Sequence, residues 1–211
     1  MNFSKTAAIA AVISVCGAAA TAQDMRVGAG YSIFGPTIEA QTKLGRNATI
    51  KGTYSSGLSL SGTHTADSLD YSLGGKMAGM SAVASYHLPA GIRVSGGLFM
   101  SNSSVKGTVT GDGSDFGGPA GAVTVESNVS FARQTAPLTT IGVDIPLFSG
   151  FVMSTDAGVV WNGGYDVSLT QTAGAVTIPA GDLASTEADI EAELSNLNFF
   201  PYVSLMVGKW F

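Results

Sequence analysis

The chain has 211 residues, a net charge of −5 and only 12% charged side chains, about half the usual share of ~25%. Its single cysteine rules out an internal disulfide framework, and the acidic balance speaks against nucleic acid as a partner. Mean hydropathy is positive (+0.30) and glycine is abundant, at 28 residues.

The first 22 residues, "MNFSKTAAIAAVISVCGAAATA", carry Lys5, an apolar stretch over 7–15, and small residues ending in Ala20-Thr21-Ala22. This layout predicts a secretory signal peptide (1–22) cut before Gln23. A buried helix would need a polar face, which the run lacks. Cys16 follows Val15, a residue bulkier than lipoprotein processing sites accept, so lipidation is not expected. The mature chain, 23–211, is then a single cysteine-free domain. No later segment approaches the ~20 consecutive apolar residues of a membrane-spanning helix. An exported, apolar, helix-poor chain is either a β-sandwich or a β-barrel in an outer membrane.

Alternation with a period of two marks strands. "MRVGAGYSI" places Met25, Val27, Ala29, Tyr31 and Ile33 on one face and Arg26 on the other. "TIEAQTKL" turns Ile38, Ala40, Thr42 and Leu44 away from Glu39, Gln41 and Lys43, and "ATIKGTY" opposes Ile50 and Tyr54 to Lys51. "AGMSAVASYHL" sets Ala78, Met80, Ala82, Ala84, Tyr86 and Leu88 outward. "IRVSGGLFM" sets Arg93 inward, and "LTTIGVDI" does the same for Asp144. "GFVMSTDAGVVWNGGYDVSL" reads as one strand of about twenty residues. Its apolar face runs from Phe151 through Met153, Ala157 and Val159 to Trp161, Tyr165, Val167 and Leu169, with Asp156 on the other face. Aromatics at both ends of a long apolar face, Phe151 below and Trp161 with Tyr165 above, match the girdles of a membrane barrel. The end, "PYVSLMVGKWF", alternates Val203, Leu205, Val207 and Phe211 against Tyr202, Ser204 and Met206.

These segments predict an all-β fold, an eight-stranded antiparallel transmembrane β-barrel. Closure avoids unpaired backbone groups in lipid, and an even strand count puts both termini on one side. Short connections at 43–47, 87–92 and 145–150 alternate with long polar ones at 57–69, 107–123 and 170–195, the arrangement of periplasmic turns and external loops. "FGP" (34–36) is a very short first external connection. "DLASTEADIEAELSNL" predicts a helix of two to four turns in the last loop, with Leu183, Ile190 and Leu194 as its apolar stripe and a lid on the barrel mouth as its simplest role.

In architecture the mature chain resembles the small outer-membrane β-barrels of Gram-negative bacteria, the OmpA/OmpX/OmpW-type superfamily. Within it, "GIRVSGGLFMSNSSV" and "FFPYVSLMVGKWF" look like a porin-family branch. The resemblance implies an outer-membrane protein with both termini in the periplasm, in contact with outer-membrane lipids and lipopolysaccharide. It also implies that the barrel-assembly machinery reads the C-terminal strand, a role that falls on Val203, Leu205, Val207 and Phe211. The departure is Lys209, where the pattern usually has an aromatic; its stem would snorkel to the headgroups.

Six charged residues point inward by parity: Arg26, Glu39, Lys51, Arg93, Asp144 and Asp156. Glu39 and Lys51 are equidistant from residue 45, so a turn centred there would set them opposite one another. An eight-stranded barrel is just wide enough for its side chains, which favours a plug of ion pairs over a narrow solute path. Inner glycines (Gly28, Gly30, Gly97, Gly142, Gly158, Gly164) leave room for water and keep the path in view. Some outer-membrane barrels modify lipid A with His/Ser groups at the external rim. Here His64 has Ser59 and Ser61 nearby, whereas His87 lies at a periplasmic turn, so catalysis is not expected. The two histidines sit at opposite ends, and "GDG" (111–113) lacks the spaced acids of a calcium loop, so neither a metal nor a cofactor is expected. The reading is a monomeric structural or surface-presenting barrel, with a narrow porin-like channel as the alternative.

Overall fold

The computed structural model describes residues 24–66 and 69–211; the predicted signal peptide lies outside them. The strands are β1 (Met25–Ser32), β2 (Gly35–Lys43), β3 (Ala48–Ala66), β4 (Leu69–His87), β5 (Ile92–Ser101), β6 (Ser104–Asp112), β7 (Ala122–Phe131), β8 (Thr135–Pro146), β9 (Phe151–Val160), β10 (Tyr165–Gly174) and β11 (Phe200–Trp210). Among the described residues one α-helix, α1, spans Ala180–Leu194.

Eight of these strands close a barrel. The antiparallel pairings run β1–β2–β3–β4–β5–β8–β9–β11, and β11 pairs back onto β1 from Arg26↔Trp210 to Ser32↔Ser204. The predicted architecture is the observed one. The alternation that predicts it is also a burial pattern. Val27, Ile38, Val94, Leu98, Ile141, Val203, Leu205 and Val207 stand exposed on the outside, while Arg26, Glu39, Lys51, Arg93 and Asp156 are buried within. A continuous belt of exposed aliphatics is not what a soluble monomer usually carries.

One end of the barrel has three tight turns of the same construction. Leu44, Leu88 and Leu147 each donate their N–H to the carbonyl four residues on, at 2.8 Å. The termini of the barrel, Arg26 and Trp210, are at this end. At the other end the structure departs from the predicted loops. Residues 57–66 belong to β3, which continues its pairing with β4 out to Ala66↔Leu69. Residues 107–123 form the β6–β7 hairpin, closed by a short 3-10 turn. β4 changes partner along its length: residues 79–87 pair with β5, residues 70–76 with β6. The sheet therefore branches, and β3, β4, β6, β7 and β10 form an extension beyond the barrel.

The long strand expected over 151–169 breaks at 161–164. Gly163 and Gly164 both have positive φ (73° and 108°), a backbone that glycine adopts without cost, and the chain leaves the barrel there. β10 then pairs with β7. Tyr165 is accordingly no girdle residue: its ring packs inward against Phe131 at 5.8 Å. Tyr31, Trp161 and Phe199 are exposed at this end, while Tyr86, Phe148 and Phe211 are exposed at the turn end. Phe151 is half-buried there, 5.8 Å from Phe148 with the Lys209 ammonium 5.5 Å from its ring.

Ile33 belongs to a two-residue turn with Phe34, not to β1, because Ser32 already pairs with Gly35. The predicted helix is α1, fifteen residues long. It packs on β10 of the extension. Leu183 is its apolar residue in the second hydrophobic cluster, beside Val123, Val125 and Ile178.

Candidate functional site

The interior of the barrel is built in three layers. The lowest, towards the turns, gathers all six predicted inward charges. Arg26 Nη2 meets Glu39 Oε1 at 2.8 Å, and Arg26 Nη1 lies 3.5 Å from Asp144 Oδ1. Arg93 bridges two carboxylates, Asp144 Oδ1 at 2.5 Å and Asp156 Oδ1 at 2.7 Å. Lys51 Nζ donates to the other oxygen of Asp156 at 2.6 Å. Three cations meet three carboxylates, so the layer is neutral, and its members come from β1, β2, β3, β5, β8 and β9. Each sits on its strand at the inward parity, which is why the alternation alone finds them.

The predicted Glu39–Lys51 pair does not form. The β2–β3 turn is centred on Arg46, one residue later than residue 45, so Gln41 faces Lys51 and Glu39 faces Thr53. Each charge finds a partner across the lumen instead. The Arg26–Glu39 contact is close, but its angle is poor for a hydrogen bond, so it is an ion pair held by proximity. The contact nonetheless leaves neither charge unpaired in the interior.

The inner glycines are where this layer fits. A Cβ on Gly142 would strike the Asp156 carboxylate and the Arg93 guanidinium; on Gly28 it would crowd Glu39, and on Gly208 the stem of Arg26. The space at Gly28 and Gly142, expected to admit water, is occupied by the charged side chains. At Gly30, Gly97 and Gly158 a Cβ would instead meet the backbone of the neighbouring strand. Gly164 belongs to the chain break.

The periodicity left out His87, whose Nε2 lies 3.3 Å from Asp144 Oδ2. Its inward parity at the end of β4 is the signal that could have found it. Asp144 also accepts a hydrogen bond from Ser154 Oγ at 2.6 Å. His87 and Asp144 border a cavity of about 280 Å³ that opens at the turn end, past Lys43, Arg46, Asn47 and Trp210.

Above the charges lies a belt of small hydroxyls, paired as Thr37–Ser55 (2.8 Å), Thr53–Ser81 (2.7 Å) and Ser85–Ser95 (2.8 Å). The top layer is aromatic. Phe34, fully buried, lies 4.5 Å from Phe99, 5.7 Å from Phe200 and 6.2 Å from Tyr202, ring centre to ring centre. Val83, Leu138 and Val160 complete the cluster. The short "FGP" connection has its explanation here: a two-residue turn drives Phe34 down into the mouth of the barrel.

The remaining candidates are dispersed. The side chain of His64 lies outside the described residues, so its relation to Ser59 and Ser61 is not part of the site. Asp112 of "GDG" caps the 3-10 turn at the tip of the β6–β7 hairpin. It accepts from Ser114 Oγ (2.6 Å), Ser114 N (3.0 Å) and Gly121 N (3.0 Å), and the Ser114 hydrogen bonds hold its carboxyl below the usual range. Val203, Leu205 and Val207 share the outer face of β11 and are exposed, as is Phe211 just past its end, whose N–H donates to the Met25 carbonyl at 2.9 Å.

No protein-family model matches the sequence, and no curated protein matches it. Two solved structures do match in fold. CarO of Acinetobacter baumannii aligns with a TM-score of 0.58 at 12% identity, over 90% of this chain and 97% of CarO. CarO2 of the same organism aligns with a TM-score of 0.59 at 15% identity, over 89% and 97%. The likeness spans nearly the whole of both chains, so the barrel and its extension belong to one known type of fold.

Proposed function

We propose that the chain is an integral outer-membrane protein whose barrel is closed to solutes and serves as a rigid anchor for the sheet and helix beyond it. The observation that carries this reading is the double closure of the lumen, by a neutral ion-pair layer and by an aromatic lid around the fully buried Phe34. The exposed aliphatic belt between two sets of aromatics fits a bilayer. With the tight turns and both termini in the periplasm, the extension faces outward, against lipopolysaccharide. This orientation, the signal peptide and the OmpA/OmpX/OmpW-type kinship are parts of the same proposal. Planar-bilayer recording of the refolded protein is the test, and no openings above background are expected. A stable unitary conductance from the unmodified chain would favour the porin-like reading instead.

The proposal includes no catalysis. His64→Ala is expected to leave the lipid A mass spectrum of the host unchanged; a gained or lost acyl chain or head group would assign chemistry to that hairpin.

The assembly role of the last strand is tested by deleting Phe211. Its ring is exposed just past the end of the closing strand, and its burial in lipid is worth about 2 kcal/mol. Deletion is expected to leave export and refolding into lipid nearly normal while lowering the assembled, heat-modifiable barrel in cells. Equal failure in both settings would make Phe211 structural and remove the recognition role.

A further inference from the structure

The extension of the sheet ends at β10, which pairs with β7 on one side only. An outer edge of this kind presents a row of free N–H and C=O groups, and proteins usually blunt it with lysine, proline or a bulge. From Val167 to Thr170 β10 has none of these, and its one irregularity comes later, between Gln171 and Ala173. Instead, α1 lies against it. The outward N–H of Leu169 donates to Glu187 Oε1 at 2.5 Å, and that of Val167 to Glu191 Oε1 at 3.0 Å. The spacings explain the match. Two residues along a strand advance about 6.7 Å, and four along a helix about 6.0 Å, so carboxylates at positions i and i+4 reach alternate N–H groups of the edge. Each takes the place that a carbonyl of the next strand would hold.

The helix is built against its own local preferences to do this. Glutamates four apart repel one another on a helix face, and Glu191 and Glu193 lie towards the negative end of the helix dipole. The edge N–H groups that Glu187 and Glu191 accept from account for the two acids on the inner face. Gln171 fixes the connecting segment as well, donating to the Val176 carbonyl (2.6 Å) and accepting from Ile178 N–H (2.9 Å).

We propose that α1 is an edge guard, in which Glu187 and Glu191 occupy donors of β10 that would otherwise pair with β10 of a second copy of this chain. The sequence of the strand fits self-pairing. Antiparallel pairing centred on Leu169 sets Val167 against Gln171 and Asp166 against Thr172, with no like charges opposed. Displacing the helix therefore converts a monomer into a dimer with one continuous sheet.

The test uses the refolded full barrel in detergent, with light scattering for mass and amide hydrogen exchange for the edge. In the unmodified chain, the amides of Val167 and Leu169 are expected to exchange as slowly as those of Asp166 and Ser168, which face β7. Glu187→Ala/Glu191→Ala is expected to speed exchange at Val167 and Leu169 by about tenfold or more and to give dimers. Glu187→Gln/Glu191→Gln keeps an oxygen acceptor at each site and is expected to remain protected and monomeric. Adding Leu169→Pro to the alanine pair removes an outward donor and is expected to restore the monomer. Fast exchange at Val167 and Leu169 in the unmodified chain overturns the proposal without any variant. So does an alanine pair that stays monomeric, or one whose dimer survives Leu169→Pro.

Discussion

Asp156→Ala is expected to be the most destabilising single substitution in the charged layer, at about 3–5 kcal/mol. Its two carboxylate oxygens serve two buried cations: Oδ2 accepts from Lys51 at 2.6 Å and Oδ1 from Arg93 at 2.7 Å. Alanine would leave Arg93 with Asp144 alone and strip Lys51 of its ion partner. The large cost is not the worth of the ion pair, which desolvation largely offsets; it is the penalty of a buried charge left uncompensated. That distinction makes a second variant informative. Lys51→Met combined with Asp156→Asn removes one charge of each sign and keeps an oxygen for Arg93, so it is expected to recover most of the loss. Urea unfolding in lipid vesicles, followed through Trp161 and Trp210, measures both. If Asp156→Ala costs less than about 1 kcal/mol, as a solvent-screened surface pair would, the layer is wet and the closed barrel loses its lower seal.

How far the sequence revealed this arrangement depends on whether the signal is local. Burial of Arg26, Lys51 and Asp156 was legible because parity is carried by the residues on either side of each. The partners were not legible, because register is set by turns and by strands distant in sequence. Glu39 shows this: moving the centre of one turn by a single residue replaces Lys51 with Thr53 opposite it. The extension was hidden for a different reason. In "KGTVTGDG" and "SGLSLSGTH" the apolar face is reduced to Val109 in the first and to Leu58 and Leu60 in the second, too short an alternation to mark a strand, and the surrounding glycine, serine and threonine read as a loop. At 151–169 the opposite happened. The alternation runs unbroken through Gly163-Gly164, and only the positive φ of both glycines shows that the chain leaves the barrel. The Glu187/Glu191 pair was visible as acidic content in a helix, but its purpose depends on β10 being an edge outside the barrel, whereas the alternation carries its first residues on as the end of a barrel strand.

The aromatic lid yields the second large effect. Phe34→Ala is expected to cost about 3–5 kcal/mol, the range for a fully buried phenylalanine, because Phe34 is in contact with the rings of Phe99, Phe200 and Tyr202 at once. It should nevertheless leave the bilayer electrically silent. The charged layer lies below the hydroxyl belt and shares no side chain with the lid, so opening one leaves the other shut. By the same reasoning Asp156→Ala alone is expected to be silent, since the lid remains. The two losses should add within about 0.5 kcal/mol, as for distant sites, but their effects on conductance should not add. Only Phe34→Ala/Asp156→Ala, which breaches both layers within an intact hydrogen-bonded wall, is expected to give small, brief openings. Heat-modifiable migration of the double variant establishes that the barrel has formed before recording begins. Openings from either single variant would mean that the remaining layer does not seal. A silent double variant would move the barrier to the Ser/Thr belt, where Thr53 and Ser81 meet at 2.7 Å, and would make the lid a stabilising cap with no part in closing the lumen.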